Sequence, residues 1–352
     1  MSGAAREEAF RARILERTPL RPRGGGSKDF YGGALAGDVL DTRDHAGIVS
    51  YEPTELVVTA RAGTPLAELE AALAERRQCL ACEPPDHGGA TVGGAVAAGL
   101  SGPRRATAGS LRDFVLGVKL MDGEGRVLRF GGEVMKIVAG FDVSRLVTGS
   151  MGTLGLILDV SLKVLPLPVA DLSLRFERNQ ARALEDLNAW AARPLPLAAD
   201  CWQDGVLTVR LAGAEAAVAA ARTALGGEVV AAGEAAAFWN ALRHQRAAAF
   251  AAGDGQVLWR VSLPSVAPPL ALSGAPLIEW GGAQRWYRGA EAQEVRRVAA
   301  AAGGHATAYR GGDRAAGTFA PLPAPLLEVH RRLKRAFDPH GVFSPGRLYP
   351  DL

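Results

Sequence analysis

Three glycine-rich segments contain the residues whose types and spacing best suit ligand chemistry. The first runs from Arg21 to Phe30 and reads RPRGGGSKDF. Because glycine has no Cβ, three glycines in a row can turn successive backbone N–H groups toward one point, and such a concavity binds anions. Arg23 and Lys28 flank the glycines with positive charge. The segment therefore predicts a diphosphate site, the alternative being a flexible surface turn.

The second segment, residues 84–102, reads PPDHGGATVGGAVAAGLSG, and residues 88–109 contain seven glycines. Interleaved Val, Ala and Leu disfavour a linker, and glycine costs about 1 kcal/mol against alanine inside a helix, which disfavours a helix. We therefore expect this backbone to pack closely around a ligand. Hydroxyl groups of Thr91, Ser101 and Ser110 would suit an extended dinucleotide.

The third segment, Gly149–Ile157, is a glycine turn that runs into a strand. Together the three segments predict one long ligand held mainly by backbone. The sequence contains no G-x-G-x-x-G after a strand, no P-loop, no G-x-S-x-G and no H-E-x-x-H. These absences disfavour Rossmann dehydrogenases, P-loop ATPases, serine hydrolases and zinc peptidases.

Short strands and a few helices must position these segments. Between residues 19 and about 167, strands are predicted at 56–60, 115–121, 127–130 and 156–164, and a helix is predicted to begin at Pro65. Between about 168 and 320, helices are predicted at 214–225 and 233–250, and strands at 206–211 and 257–263. The mixture without a regular βαβ repeat predicts an α+β fold.

Proline clusters divide the chain. Leu165-Pro166-Leu167-Pro168 and the stretch Pro321–Pro325 are typical of breaks in regular structure. We expect a first domain at 1–167, a second at 168–320 and a C-terminal segment at 321–352.

Composition indicates a globular protein without a membrane span. Of the 352 residues, 48% are hydrophobic and 22% charged, and no long apolar run occurs. The net charge of +3 comes from scattered Arg, which does not indicate a nucleic-acid partner. Residues 1–17 read as an amphipathic helix, not a signal sequence, so a cytoplasmic location is expected. The three cysteines are expected to be reduced thiols, with no metal site.

The glycine segments resemble a known family. R-G-G-G-S, P-x-x-x-G-G-A-T-V-G-G-A-V-A-x-G-x-S-G-P-R-R and Gly109–Gly117 resemble the FAD-binding domain of vanillyl-alcohol oxidase, or PCMH-type, flavoproteins. Val138–Leu146, Gly149–Gly155 and Phe337–Arg347 resemble the branch with glycolate oxidase and D-lactate dehydrogenase. Three further segments are similar to the E-type FAD-binding subunits of glycolate oxidase, namely Trp259–Ser262, Glu279–Trp286 and Gly303–Thr307. The resemblance covers nearly the whole chain.

The resemblance implies a two-subdomain FAD domain, an α+β cap domain and a C-terminal segment that returns to the FAD domain. It places residues 23–28 at the pyrophosphate, 90–94 and 97–102 along the diphosphate and ribityl chain, and 109–113 near the isoalloxazine. Residues 152, 155 and 157 would lie near the adenosine, and Arg347 at the flavin edge. The implied FAD-binding residues are Pro22, Arg23, Gly24, Gly25, Gly26, Ser27, Lys28, Ala90, Thr91, Val92, Gly93, Gly94, Ala97, Gly99, Gly102, Gly109, Ser110, Asp113, Gly152, Gly155, Ile157 and Arg347.

Two positions depart from the family pattern. Members with covalently linked flavin often carry His after the glycine triplet, whereas this chain has Ser27, so non-covalent FAD is expected. Ser344 stands where many relatives have Asn.

Oxidation of a 2-hydroxy acid needs a cation for the carboxylate, a base for the hydroxyl proton and a flavin for the hydride. The second domain offers Arg260 and Arg285 as carboxylate ligands and His305 as a base. Arg288 and Arg310 are further candidates. The alternative for each Arg is a solvated surface charge.

The resemblance implies an FAD-binding subunit of a glycolate oxidase complex. Its partners would be a larger FAD-containing catalytic subunit and an iron–sulfur subunit, and any membrane association would come through them. Two alternatives remain: a stand-alone FAD-dependent 2-hydroxy acid dehydrogenase of the D-lactate type, and a non-catalytic subunit that only supports its partners.

Overall fold

The computed structural model describes residues 3–132, 142–251, 253, 255–314 and 317–352. The segment Val138–Phe141, part of one predicted family match, lies outside the described residues. Within the described ranges, no helix combines the length and the apolar character that crossing a bilayer requires.

Helices and strands alternate irregularly, which confirms the α+β prediction. The α-helices are α1 (Gly3–Leu15), α2 (Leu66–Glu75), α3 (Val92–Ala98), α4 (Arg105–Ala108), α5 (Leu111–Phe114), α6 (Val143–Val147), α7 (Gln180–Ala191), α8 (Glu215–Leu225), α9 (Ala232–Arg243), α10 (Ala292–Ala301) and α11 (Ala324–Phe337). Short 3-10 turns lie at Ala248–Phe250 and Trp280–Gly282.

The strands are short and numerous. They are β1 (Leu20–Arg23), β2 (Asp38–Asp41), β3 (Ile48–Glu52), β4 (Val57–Arg61), β5 (Gln78–Cys79), β6 (Val115–Met121), β7 (Val127–Gly131), β8 (Leu156–Lys163), β9 (Leu165–Pro166), β10 (Ala170–Glu177), β11 (Leu197–Gln203), β12 (Val206–Gly213), β13 (Glu228–Val230), β14 (Leu258–Ser262), β15 (Leu277–Glu279), β16 (Gln284–Arg288) and β17 (His305–Arg310).

The chain divides into two compact units. Unit 1 comprises Met1–Leu100, Ser110–Pro166 and Arg314–Leu352, and unit 2 comprises Ser101–Gly109 and Leu167–Asp313. The sequence predicted an uninterrupted first domain, but the segment Ser101–Gly109 belongs to unit 2. Within unit 2, Thr107 Oγ1 donates to Ala198 O at 2.7 Å, and Gly102 O accepts from Trp280 Nε1 at 3.1 Å.

Unit 1 is built on a five-stranded antiparallel sheet of order β3-β4-β8-β6-β7. Helix α2 buries Leu66, Leu69 and Leu73, as the predicted spacing requires. Pro65 precedes the first helical residue as the N-cap, so the predicted helix start was one residue early.

The C-terminal segment completes unit 1. Lys334 Nζ on α11 donates to Asp338 Oδ2 at 2.7 Å and to the carbonyls of Thr153 and Phe343 at 2.8 and 2.6 Å. Leu20 N then donates to Val342 O, and Ser344 N donates to Leu20 O, each within 2.8 Å. These bonds fix the chain next to β1, which leads directly into the first glycine segment.

Unit 2 is an eight-stranded antiparallel sheet of order β13-β10-β12-β11-β15-β16-β14-β17. One face is apolar. Under α7 and α8 it buries Leu174, Trp202 and Ile278, and under α10 it buries Trp259 and Val261. Because side chains alternate along a strand, the intervening residues lie on the opposite face. It is called the polar face because it carries Arg260, Glu279 and His305, although the apolar Leu258, Leu277 and Trp286 are buried on it as well. The helix predicted over 233–250 is shorter, ending at Arg243 and followed by a 3-10 turn.

Candidate functional site

Two neighbouring clefts in unit 1 bring together residues from all three glycine segments. The first cleft is lined by Arg21, Pro22, Arg23, Gly24, Gly25, Gly26, Ser27, Lys28, Asp29, Leu35, Thr91, Gly94, Ala97, Ala98, Met151, Ser344 and Arg347. The second is lined by Pro22, Arg23, Gly24, Thr42, Ala62, Gly93, Gly94, Ala97, Met151, Gly152, Gly155, Leu156 and Ile157. Shared residues join the two clefts into one elongated site.

The glycine triplet follows β1 and leaves no room for side chains. A Cβ on Gly24 would lie 2.2 Å from Thr91 Oγ1, and one on Gly25 would lie 1.7 Å from Gly89 O. Gly26 has a φ of +70°, which side-chain-bearing residues rarely adopt. The triplet therefore brings backbone against backbone, as the sequence predicted.

The second glycine segment contains a helix, so the prediction that it is not helical was wrong. Helix α3 starts after Thr91, whose Oγ1 accepts from Gly94 N at 3.2 Å. A Cβ on Gly93 would lie 2.5 Å from the Cβ of Ala62, which directly follows β4. The helix tolerates its glycines because they allow this close packing, which a propensity scale does not include.

Four cations surround the first cleft, with Asp29 as the carboxylate in its lining. Asp29 Oδ2 lies 2.8 Å from Arg23 Nε and 3.7 Å from an Arg21 guanidinium nitrogen. Arg21 Nε is buried with no hydrogen-bond partner in the described part of the chain. The surplus of positive charge favours a polyanionic ligand.

The two other cations are buried. Burial lowers the pKa of Lys28 from 10.5 to about 8, and the charge of Asp86 opposes this shift. Burial is also the main reason that the pKa of Arg347 falls to about 10. The Arg347 guanidinium donates to the carbonyls of Gly33 at 2.6 Å and Lys28 at 3.2 Å. Arg347 thereby ties the C-terminal segment to the first glycine segment.

Fifteen of the predicted FAD-binding residues line the clefts: Pro22, Arg23, Gly24, Gly25, Gly26, Ser27, Lys28, Thr91, Gly94, Ala97, Arg347 and, in the second cleft only, Gly93, Gly152, Gly155 and Ile157. Among the described residues the lining does not include Ala90, Val92, Gly99, Gly102, Gly109, Ser110 or Asp113.

These seven residues have structural contacts instead. Val92 is in the core, and Gly99 ends α3 with a φ of +64°. Ser110 and Asp113 form the capping box that starts α5. Gly102 and Gly109 belong to unit 2. Their contact with FAD stays a prediction.

Sequence reasoning did not predict the strained backbone of two residues in the lining. Met151 has a φ of +55° and Ser344 a φ of +43°, although neither is glycine. Asn adopts this left-handed conformation more readily than Ser, which gives a physical reason for the Asn that the family resemblance leads one to expect at position 344. For Met151, the sequence signal that could have indicated this backbone conformation was its position between Gly149 and Gly152.

On the polar face of unit 2 the structure brings together Arg260 and His305. They lie on adjacent strands, where Ser262 pairs with His305 and Arg260 with Thr307. The Arg260 guanidinium lies over the Tyr309 ring, 5.6 Å from its centroid. Partial burial and, to a lesser extent, the charge of Arg260 lower the pKa of His305.

Arg285 was predicted to bind the substrate carboxylate, and the structure contradicts this. Its side chain is fully buried, and its guanidinium donates to Gly282 O at 3.1 Å, Pro268 O at 2.6 Å and Ala267 O. It pairs with Val261 and Ile278, which lie on the apolar face. Strand register therefore directs Arg285 into the core.

Arg288 and Arg310 also contact backbone. Arg288 donates to Ala248 O at 3.3 Å, and Arg310 to Phe250 O at 3.5 Å. Both arginines thus contact the 3-10 turn Ala248–Phe250.

Two buried carboxyl groups of unit 2 were not predicted. Burial raises the pKa of Asp200 to about 7, and that of Glu279 to about 7. Asp200 accepts from Gly281 N at 2.8 Å. Nothing in the sequence distinguishes these residues from exposed carboxylates, because only the strand pairing buries them.

Comparisons with known proteins support the FAD site. Residues 8–131 match the family model described as an FAD binding domain. The chain is 52% identical to the glycolate oxidase subunit GlcE of Escherichia coli (strain K12), over 96% of this chain and 95% of that protein. The chain belongs to the glycolate oxidase GlcE subunit family. The predicted family and the FAD cofactor are thereby confirmed.

More distant relatives match only part of the chain. Glycolate oxidase subunit GlcD of Bacillus subtilis (strain 168) is 29% identical over 51% of this chain and 39% of its own. D-lactate dehydrogenase of Anaerostipes hadrus is 34% identical over 44% of this chain and 33% of its own.

A solved structure of alkyldihydroxyacetonephosphate synthase superposes with a TM-score of 0.65, covering 96% of this chain and 73% of that one. At 15% identity this likeness shows the fold alone. It agrees with the predicted two-subdomain flavoprotein fold.

The clefts of unit 1 fit FAD by their own chemistry. Backbone free of side chains gives an elongated ligand close approach, and Arg21, Arg23 and Lys28 supply the charge that a diphosphate needs. The apolar lining of the second cleft, which includes Leu156 and Ile157, suits a ring system.

Proposed function

We propose that this chain is the FAD-binding subunit of a complex that oxidises glycolate, or a similar 2-hydroxy acid, to the 2-keto acid. The observation that carries the proposal is the 52% identity to a glycolate oxidase subunit along nearly the whole chain. The cation-lined glycine clefts support it independently. The partners are a larger FAD-containing catalytic subunit and an iron–sulfur subunit, and any membrane association comes through them.

The residues of unit 1 bind the cofactor without a covalent bond. Arg21, Arg23 and Lys28 neutralise the diphosphate. The Ser27 hydroxyl lies 3.4 Å from Lys28 Nζ and is a poor nucleophile toward a flavin. When bound, FAD supplies the hydride acceptor that no side chain can provide.

The polar face of unit 2 binds and orients the substrate. Arg260 pairs with the substrate carboxylate, and in the assembled complex His305 accepts the proton of the hydroxyl group. The lowered pKa of His305 favours the neutral imidazole near pH 7, which is the form that accepts a proton. Arg285 has no part in this proposal.

Two measurements test the cofactor and the reaction. Acid precipitation of the purified chain should release all of its yellow colour into the supernatant, whereas colour kept in the pellet would contradict non-covalent binding. Stopped-flow mixing with glycolate should reduce the flavin rapidly only when the partner subunits are present. Rapid reduction of the isolated chain would favour the stand-alone dehydrogenase instead.

The partners can be identified directly. A tagged chain purified from native cells should carry a GlcD-like flavoprotein and an iron–sulfur protein, detected by mass spectrometry. Recovery of the chain alone, with full glycolate oxidation, would contradict the complex.

A further inference from the structure

The polar face of unit 2 contains a buried acid that the proposed reaction does not use. Glu279 is the last residue of β15, and only 4% of its surface is exposed. Its Oε1 accepts from Gln284 Nε2 at 2.5 Å and from Trp286 Nε1 at 2.7 Å. Both donors are neutral, so these bonds leave the charge of an ionised Glu279 uncompensated.

A continuous set of side chains connects Glu279 with Arg260. Trp286, which donates to Glu279, pairs directly with Arg260 on the adjacent strand β14. The Trp286 ring meets the Tyr309 ring edge to face at 4.9 Å between centroids, and the Arg260 guanidinium lies over Tyr309. All four side chains lie on the polar face, and the charge of Arg260 contributes to lowering the pKa of Glu279.

We propose that Glu279 is a positioning residue for Arg260: it fixes the neighbouring Trp286 ring by a hydrogen bond and sets how much positive charge Arg260 offers to an anionic substrate. This inference rests on the proposed function, in which Arg260 binds the carboxylate of a 2-hydroxy acid. Glu279 itself does not contact the substrate; it acts through Arg260.

The charge of Glu279 can change near neutral pH. Burial raises its pKa to about 7, the hydrogen bonds from Trp286 and Gln284 lower it, the charge of Asp200 raises it and that of Arg260 lowers it. Above this pKa the ionised Glu279 offsets the charge of Arg260 and weakens anion binding. Below it, the protonated acid no longer offsets the charge of Arg260, so Arg260 binds an anion more tightly.

Other titratable groups border the same cluster. From β11, Asp200 has a pKa raised to about 7 by burial, and the Cys201 thiol has a pKa raised well above its usual value. From β17, His305 has a pKa lowered by burial and by Arg260, so the His305 imidazolium releases its proton at a lower pH than the Glu279 carboxyl does. Variants of Glu279 and Asp200 therefore separate their contributions.

Binding of glycolate should consequently be coupled to the uptake of a proton by Glu279. A carboxylate arriving at Arg260 repels an ionised Glu279 and draws a proton onto it. Calorimetric titration of the FAD-loaded full chain with glycolate, in buffers of different ionisation enthalpy at about pH 7.5, measures this uptake. We expect wild type to take up a fraction of a proton, and its affinity for glycolate to fall roughly fivefold between about pH 6.5 and pH 8.

Three variants make the result specific. Glu279→Gln keeps the size of the side chain and should abolish the uptake, with affinity changing less than about twofold over the same pH range. Glu279→Asp should restore part of the dependence. Asp200→Asn, the matched buried control, should keep most of it, and thermal unfolding reports whether each variant is folded.

The outcomes are distinct. Proton uptake that persists unchanged in folded Glu279→Gln overturns the role of Glu279, and so does uptake that is lost in Asp200→Asn alone. In either case, glycolate binding by the wild type still supports the proposed function. If Glu279→Gln does not fold, flat affinity and no proton uptake in wild type still overturn the inference. Absence of glycolate binding by wild type at every pH, with FAD bound, refutes the proposed substrate as well.

Discussion

The clefts of unit 1 and the polar face of unit 2 are built in opposite ways. In unit 1, glycines bring backbone to the ligand, and a Cβ at Gly25 would overlap the carbonyl of Gly89. In unit 2, side chains from separate strands meet, and Arg260 reaches Tyr309 through strand pairing. The comparison teaches that a backbone-lined site is visible in a sequence as missing side chains, whereas a side-chain site depends on register.

The largest expected effect breaks the backbone site. Gly25→Val should reduce FAD affinity by at least about 100-fold, because the new side chain and Gly89 O cannot occupy the same space. Flavin absorbance after gel filtration and titration of the apoprotein with FAD measure the loss. Gly233→Ala is the matched control, since its Cβ meets nothing within 4 Å. Full FAD binding by Gly25→Val would refute the proposed cradle.

The next effect separates two arginines of unit 2. Arg260→Gln should raise KM for glycolate by roughly 30-fold or more in the assembled complex, because a charge-assisted bond to the carboxylate is lost. Arg285→Met should instead lower the melting temperature, since three buried carbonyl oxygens lose their donor, with KM little changed. If instead Arg285→Met raised KM and Arg260→Gln only lowered the melting temperature, Arg285 and not Arg260 would bind the substrate carboxylate.

A smaller effect concerns a charge in the backbone site. Lys28→Met should weaken FAD binding about tenfold by removing one of the cations at the diphosphate. In wild type the affinity should fall as pH rises from about 7 to about 9, because Lys28 with a pKa of about 8 loses its proton. Fluorescence titration of FAD across pH measures both effects. An equal pH dependence in Lys28→Met would assign the titration to another group.

The same lysine affects stability with the opposite sign. Its pKa is lower in the folded apoprotein than the usual 10.5, so burying its charge destabilises the fold below about pH 8. This cost disappears as pH rises from about 8 toward 10.5. Relative to Lys28→Met, wild-type apoprotein should therefore gain stability over that range, as measured by urea unfolding.

The smallest expected effect tests backbone strain at the cleft. Ser344→Asn should raise the free energy of unfolding by about 0.5 kcal/mol, because Asn accepts a positive φ with less strain. Urea unfolding of the apoprotein measures this difference. Destabilisation would indicate that the buried Ser344 hydroxyl contributes more than the strain costs.

Much of the fold was predictable where local pattern and burial agree. The α2 spacing of Leu66, Leu69 and Leu73 gave the correct buried face. The helix α3 was missed because its glycines serve a close contact with Ala62 that propensity does not describe. The segment 101–109 was placed in the wrong unit, since only its hydrogen bonds to Ala198 and Trp280 reveal its partners.

By itself the sequence determined the chemistry of the cofactor site, because a glycine can be recognised wherever it stands and Arg23 and Lys28 flank the glycine triplet along the chain. The tertiary structure alone decided which charged residues of unit 2 share a face. Side chains alternate along each strand, so the consecutive residues Arg285 and Trp286 of β16 point to opposite faces. Arg285 is enclosed by carbonyls, whereas Trp286 lies beside Glu279, and a shift of the strand pairing by one residue would exchange the two faces. That step depends on the pairing of strands distant in sequence, which no local pattern specifies.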